Sequence, residues 1–406
     1  MTTRTEPDLV VLSHLRWVWV WQRPQHLVSR MAQLRAAAGA RTWFVEEPYV
    51  MDVPEPELRT EQHGDVTRVW LVVPRVDDGT GNPDLPEYQS PVAADYADLL
   101  ADLLAAEGRP PAPDLWVYTP MALDIAQHLE PGRLVYDIMD DLSAFLDAPV
   151  GLQLKQRRLF AEADVVFTGG RSLHRVASMQ RHHDIHLFPS GVETAHYAQA
   201  RFARTQQKQT DTLVAGYVGV IDERLDLRLI EDLARLLPDW TIRMVGPVTK
   251  IDAASVPKGD NLEYLGMKAY AELPEAMAGF DVALMPFALN EATRAISPTK
   301  TLEYLAAGLP VVSTRVPDVV ADYGQLVHLA DDAEAFADAC RHVQREAPGE
   351  LDRKSRRVLH RQEWDTIAGH MDSLLHDVRP KGTNGHRKAA AHSRQAAGSV
   401  RSQATA

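Results

Sequence analysis

The first apolar run, "LVVLSHL" at 9–15, shows no polar alternation, which is the pattern of a strand covered on both faces. A loop, "RWVWVWQR", follows it. "PQHLVSRMAQLRAAAG" then opens on Pro24 and stops at Gly39, the punctuation of a helix. "TWFVEEP" (42–48) predicts the strand that completes a β-α-β unit, and apolar runs at 69–73, 115–119, 133–138 and 164–169 continue the series. Helical patterns such as "GLQLKQRRLFAEA" (151–163) lie between most of them. The alternation predicts an α/β fold: a parallel sheet with helices on both faces.

The pattern then restarts. "HYAQARFARTQQKQTDT" (196–212) holds no apolar run and reads as a linker. Beyond it come "LVAGYVG" (213–219), "TIRMVG" (241–246), "LEYLG" (262–266), "DVALMP" (281–286), "LPVVST" (309–314) and "QLVHLA" (325–330). The expected organisation is one Rossmann-like domain over 1–190, a second over 191–360, a helix over 361–378 and a disordered tail over 379–406. That tail has no acidic residue and little apolar bulk, so a solvated segment is expected rather than a tether.

Composition adds little to this and excludes much. A length of 406 residues suits two domains. The formal net charge of −13 argues against a nucleic-acid partner, which would need a basic face. A single cysteine, Cys340, excludes an intramolecular disulfide and a cysteine-based zinc site. No run approaches the roughly 20 apolar residues that span a bilayer. The opening residues lack the apolar core of a signal peptide, so the cytoplasm is the expected location.

Ligands of open parallel sheets sit beyond the carboxyl ends of the strands. In the second half, Gly219 leads a loop carrying Arg224, Gly246 ends the 241–246 run, and "LMPFALNEATRA" carries Asn290 toward "ISPTKTLEYLAAGLPVVST" (296–314). There Ser297 is the expected N-cap and Pro298 the first helical residue, leaving N–H groups that suit a phosphate. A diphosphate would explain Lys300 at the positive end of a helix, and Glu303 would accept hydrogen bonds from ribose hydroxyls. The plainer alternative is a capped helix with its lysine in water. In the first half, "YDIMDD" (136–141) gathers three carboxylates at a strand end, open to metal binding, helix capping or acceptor binding; Asp140 or Asp141 would be the general base of an inverting reaction. The loop "HLRWVWVWQRPQH" offers Trp17, Trp19 and Trp21 as stacking faces for sugars, with Gln22, Arg23, Gln25 and His26 as donors; an edge strand or core packing is the alternative. The histidines of "RHHDIH" (181–186) read as a solvated helix end rather than a metal cluster.

The run "SPTKTLEYLAAGLPVVST" resembles the nucleotide-sugar motif of GT-B glycosyltransferases, in particular the large retaining bacterial family of group 1/4-like enzymes. Pro298, Lys300, Glu303, Ala306, Gly308, Pro310, Val311 and Val312 match its pattern P-x-K-x-x-E-x-x-A-x-G-x-P-V-V. "LFPSGVETAHY" (187–197) and 261–287 are similar to the flanking segments. Trp364 and Asp365 are similar to that family's late helix, which crosses back to the first domain, and the opening loop resembles a bacterial subgroup.

The resemblance implies two domains facing a cleft, with the acceptor in the first and the donor in the second. It implies transfer from a nucleotide-diphosphate sugar to a hydroxyl of a glycan or glycolipid, in cell-envelope polysaccharide or glycolipid synthesis, with no cofactor or metal and with peripheral membrane contact. Gly219, Arg224, Gly246, Asn290, Ser297, Thr299, Lys300 and Glu303 would surround the donor, and Arg224 and Lys300 would stabilise the leaving diphosphate. The chain departs from the family at two places. The acidic residue eight positions before Glu303 is Ala295, and a usual Arg/Lys pair is reduced to Arg224 beside Asp222 and Glu223. Sugar contacts and stereochemistry therefore stay open, with Asn290, Glu291 and the Ile296–Ser297 backbone as stand-ins. A nucleotide-sugar epimerase of the same architecture and an inactive nucleotide-sugar or glycan binder are the other classes. A dehydrogenase would need a Gly-x-Gly-x-x-Gly turn that "GYVGVI" lacks.

Overall fold

The strand of the first apolar run, β1 (Leu9–Ser13), lies at the centre of a nine-stranded sheet in a computed structural model of the chain. The structure describes residues 6–75, 88, 93–106, 112–144, 148, 151–206, 212–343 and 350–378, so the 379–406 tail lies outside the described residues. In chain order the remaining strands of this sheet are β2 (Thr42–Glu46), β3 (Tyr49–Met51), β4 (Glu57–His63), β5 (Val66–Pro74), β6 (Asp114–Val117), β7 (Arg133–Ile138), β8 (Val165–Thr168) and β9 (Ile185–Leu187). Strands β1, β2, β6, β7 and β8 are buried along their whole length, which is why they read as unbroken apolar runs.

The expectation of a purely parallel sheet needs one correction. β4 pairs antiparallel with β5 through a turn at Gly64, whose φ of +58° favours glycine. β4 is polar and largely exposed, an edge strand with nothing apolar to announce it.

The second sheet holds β10 (Leu213–Val218), β11 (Trp240–Val245), β12 (Leu262–Tyr264), β13 (Val282–Met285), β14 (Val311–Ser313) and β15 (His328–Leu329). Its order is β12-β11-β10-β13-β14-β15, with every pairing parallel.

The segment expected to be a linker is mostly a helix, Thr194–Gln206. Its apolar stripe is only Tyr197 and Ala200, too narrow to show as a run. Its arginines supply the rest: Arg201 donates to the carbonyl of Ala306 at 3.1 Å and Arg204 to that of Ala278 at 3.4 Å, the C-terminal ends of two neighbouring helices.

The chain crosses between domains at two adjacent strands of backbone. Val192 N–H donates to Gln362 at 2.8 Å, and Trp364 N–H donates back to Val192 at 3.2 Å. A side chain on Gly191 would meet the Trp364 ring at 2.8 Å, so the crossing admits only glycine. Helix Trp364–Asp377 then packs on helix Arg23–Ala37, placing Trp364, Ile367, Met371 and Leu375 in one core with Leu9, Val11, Leu27 and Met31 of the first domain. Burying Trp364 alone removes roughly 150–250 Å² from water, an upper limit of about 4–6 kcal/mol.

Candidate active site

The loops after β10 and β11 cross at two glycines. Gly219 has φ +155° and Gly246 φ +148°, and a Cβ on Gly246 would lie 1.9 Å from the Gly219 carbonyl oxygen. Gly219 N–H donates to Val245 and Gly246 N–H to Gly266, both at 2.9 Å. The crossing is crowded, since a Cβ on Gly219 would also lie 2.6 Å from the Tyr217 hydroxyl. Lys300 lies over it, its Cε 3.3 Å from where a Gly219 Cβ would stand.

The helix bearing Lys300 starts later than expected. It runs Lys300–Ala306 with Thr299 as its cap, so Ser297 is not the N-cap and Pro298 precedes the helix. Ser297 lies instead at the domain interface, its Cβ 2.8 Å from where a Gly170 side chain would be. Seven residues give the helix little dipole, so charge here comes from side chains. Lys300 Nζ meets Glu303 at 2.8 Å, which answers why a lysine is tolerated in this first turn. Glu303 is 7% exposed, and burial and then the Glu303 charge hold the neighbouring Tyr197 hydroxyl protonated. Tyr304 fixes the helix to β10 by accepting from Val218 N–H at 2.8 Å.

Arg224 is held by Asp222, Nε at 3.0 Å and Nη2 at 2.7 Å. Burial works against its charge, yet the bonds to Asp222 and the field of Asp140 leave it more firmly protonated than a free arginine. Ala288 N–H donates to the Arg224 carbonyl at 2.9 Å, and the Asn290 amide donates to the Glu223 carbonyl at 3.1 Å. Asn290 therefore laces two loops together, and its side-chain oxygen accepts from Thr293 N–H.

Across the cleft stand His14, after β1, and Asp140, after β7. Burial pushes the Asp140 carboxyl up to about 6, against the pull of Arg224 and Lys250 of the other domain. His14 is pushed down to about 4 by burial and then by Lys250, so it is neutral at pH 7. Its Nδ1 is buried and has no hydrogen-bond partner among the described residues. The three carboxylates of 136–141 do not converge: Asp137 is paired with Arg23 and Asp141 accepts from the Ser143 hydroxyl at 2.7 Å, while Asp140 faces the cations.

The tryptophan loop is rearranged from expectation. Trp17 is 5% exposed and packs edge-on against Phe44, 4.9 Å between centroids, so it is core rather than a stacking face. Arg23 is buried on Asp137 at 3.0 Å and donates to the Phe188 carbonyl. His26 stacks on Trp364 at 5.2 Å and is pushed down to about 3 by burial, so it is neutral and makes no ion pair with Glu193 at 3.8 Å. Gln22 precedes the helix, its N–H donating to Gln25. Trp21 stacks on Tyr270 of the second domain, and Trp19 is left 48% exposed.

The domains also meet away from the cleft floor. Asp318 reaches from the second domain to accept from Ser172 N–H at 3.1 Å and from its hydroxyl at 2.6 Å, capping helix Arg171–Gln180. His14, Lys250 and Asp318 were not singled out in the sequence. His14 had a usable signal, since it directly follows a buried strand; Lys250 and Asp318 sit in segments with no pattern of their own.

Two parallel-sheet domains whose strand ends face one cleft define the GT-B class. Solved structures carry the same fold over nearly the whole chain. An α,α-trehalose-phosphate synthase (UDP-forming) from Burkholderia vietnamiensis is 16% identical with a TM-score of 0.65, covering 93% of this chain and 99% of that one. Anabaena HepE in complex with UDP-glucose is 13% identical with a TM-score of 0.66, covering 92% and 100%. Within that class, residues 212–346 match the family model described as Glycosyl transferases group 1. A curated relative, TuaH of Bacillus subtilis, whose name places it in teichuronic acid biosynthesis as a glycosyltransferase, is 28% identical over 226 residues. That match covers 52% of this chain and 56% of TuaH, so the chain spans about half the length of this relative.

Proposed function

We propose that the chain transfers a sugar from a nucleotide-diphosphate sugar to an acceptor hydroxyl, in the synthesis of a cell-envelope glycan or glycolipid. One observation carries the reading: Lys300 lies against Gly219 at the end of β10 and meets the buried Glu303 at 2.8 Å, a cation and a carboxylate together beyond the strand ends. The donor lies on the second domain, its diphosphate beside the Gly219–Gly246 crossing and Lys300. Glu303 exchanges its contact with Lys300 for the ribose, and Lys300 and Arg224 meet the charge that builds on the leaving diphosphate. These cations supply what a divalent ion would otherwise supply, which supports a metal-independent transfer without a further cofactor. The relative's name and the UDP-sugar complex of HepE support the donor class and the envelope setting. On this reading the acceptor is met at the inner face of the membrane by peripheral contact; among the described residues no helix is long and apolar enough to cross it.

The match of Pro298–Val312 to a retaining family's motif supports retention of configuration. Inversion has one observation in its favour: the Asp140 carboxyl, held at about 6, is ionised at neutral pH and so able to act as a base toward an acceptor hydroxyl. The test is release of nucleoside diphosphate from UDP-, GDP-, ADP- and dTDP-sugars, with the product anomer read by proton NMR. Acceptor-dependent release lost in Lys300→Ala supports transfer, and its loss in Asp140→Asn supports inversion. An isomerised sugar nucleotide formed without acceptor would make the chain an epimerase, and binding without turnover an inactive binder.

A further inference from the structure

Helix Glu350–Arg361, which precedes the crossing back to the first domain, carries its cations on one face. Arg353, Arg356, Arg357, His360 and Arg361 follow the i, i+3, i+4, i+7, i+8 spacing of a single helical stripe, and all five are exposed. None of these side chains makes an ion pair or hydrogen bond among the described residues. The opposite face is spent inside the protein: Leu359 is buried in the second domain's core, and Leu351 and Val358 pack against it. Asp352 of the same helix is ion-paired with Arg201 of helix Thr194–Gln206, so that carboxylate is already matched.

Many exposed arginines of this chain have a carboxylate partner, among them Arg171 on Asp322, Arg235 on Asp232 and Arg315 on Asp331. Four unmatched arginines on one stripe, in a chain of formal net charge −13, repel one another until an anionic surface meets them. We propose that this stripe docks the second domain on an anionic lipid surface. The inference rests on the transfer reading for the membrane setting, and on the stripe itself for the charge. Lipid is favoured over nucleic acid because the stripe carries charge alone, with no aromatic or amide to stack on a base or read its edge. Its place in the fold fits the same use. The helix packs against helix Lys300–Ala306, and Arg361 stands one residue before Gln362, whose carbonyl accepts from Val192 N–H at the crossing. Docking here sets the donor-binding domain, rather than the acceptor-binding one, against the lipid, with the crossing between domains beside it.

The test is co-sedimentation of the full chain with vesicles of phosphatidylglycerol and phosphatidylcholine, or of phosphatidylcholine alone, at rising salt, alongside nucleotide titrations. Binding to the anionic vesicles, none to the neutral ones, and release by salt are expected of contact through exposed charge. The triple variant Arg353→Gln/Arg356→Gln/Arg357→Gln is expected to weaken that binding about tenfold or more, with nucleotide affinity unchanged and Tm not lowered. The matching triple lysine variant should keep it, because a flat field of charge does not need the guanidinium fork. Residues 379–406 hold six lysines and arginines and no acidic residue, so Arg387→Gln/Lys388→Gln/Arg394→Gln is the control and should bind as the wild type does. No binding to anionic vesicles, equal binding to neutral ones, or full binding by the Arg353/Arg356/Arg357 variant would overturn the proposal. Tighter binding of an oligonucleotide through the same arginines would overturn it in favour of a nucleic acid. Vesicle binding by a chain that binds no nucleotide would keep the surface and sink the transfer reading; nucleotide binding without vesicle binding would do the reverse.

Discussion

The two domains share an architecture and use charge in opposite ways. In the first, arginines near the sheet are consumed internally: Arg23 on Asp137, Arg35 on Asp114 and Arg68 on Glu46, with every carboxylate at most 1% exposed. In the second, the β10 and β11 strands end at Gly219 and Gly246, and the cations beyond them keep a carboxylate partner yet stay open: Arg224, on Asp222, and Lys300, on Glu303, have side chains 25% and 19% exposed. Polar residues at a strand end thus have two unlike meanings. Where the cation is sealed in with its partner the pair is structural; where the cation stays open at the strand ends it can turn to a ligand.

Substitutions on the two faces should separate these meanings. Arg23→Leu strands Asp137, which is fully buried, and is expected to cost about 3–5 kcal/mol in urea unfolding while the folded fraction keeps its nucleotide affinity. Gly246→Ala forces a methyl onto the Gly219 carbonyl at a strained φ; about 1–3 kcal/mol of stability and the nucleotide site should go together. Lys300→Ala leaves the buried Glu303 carboxylate without its cation, so it is expected to cost about 1–3 kcal/mol of stability and to weaken nucleotide binding about tenfold or more by calorimetry.

Asp140→Asn should leave nucleotide affinity alone; an inverting transfer loses turnover with it, and a retaining transfer keeps it. The substitution also carries a pH signature. Because the folded carboxyl titrates near 6, the folded chain keeps a proton that the unfolded chain has released from pH 3.8 upward, so stability falls as pH rises through that window. Asp140→Asn should remove that fall, seen as a smaller drop in Tm between pH 4 and 6. His26, held down to about 3 from 6.5, works in the other sense and makes stability fall as pH drops below 6.5.

Much of this was legible in the chain because burial writes itself as apolar runs. β1, β7 and β13 are covered on both faces and were visible at once; β4 is a polar edge strand and was not. Helix Thr194–Gln206 was hidden because two residues make its apolar stripe and arginine stems do the remaining covering. Lys300 and Glu303 stood out as a charged pair at helical spacing, whereas the committed states of Trp17, Arg23 and His26 depend on partners from 44 to 364, which no local pattern reveals. The start of the Lys300–Ala306 helix slipped because Ser297 and Pro298 have strong capping habits that the domain interface overrides at Gly170.

The central claim is that the strand-end face of the second domain holds a nucleoside diphosphate through Lys300 and Glu303. Calorimetric titration of UDP, GDP, ADP and dTDP into the wild-type chain and Glu303→Ala addresses it most directly. The account expects one of the four to bind the wild type and to bind Glu303→Ala about tenfold more weakly or worse. No binding by any of them, or equal binding by both proteins, would contradict it.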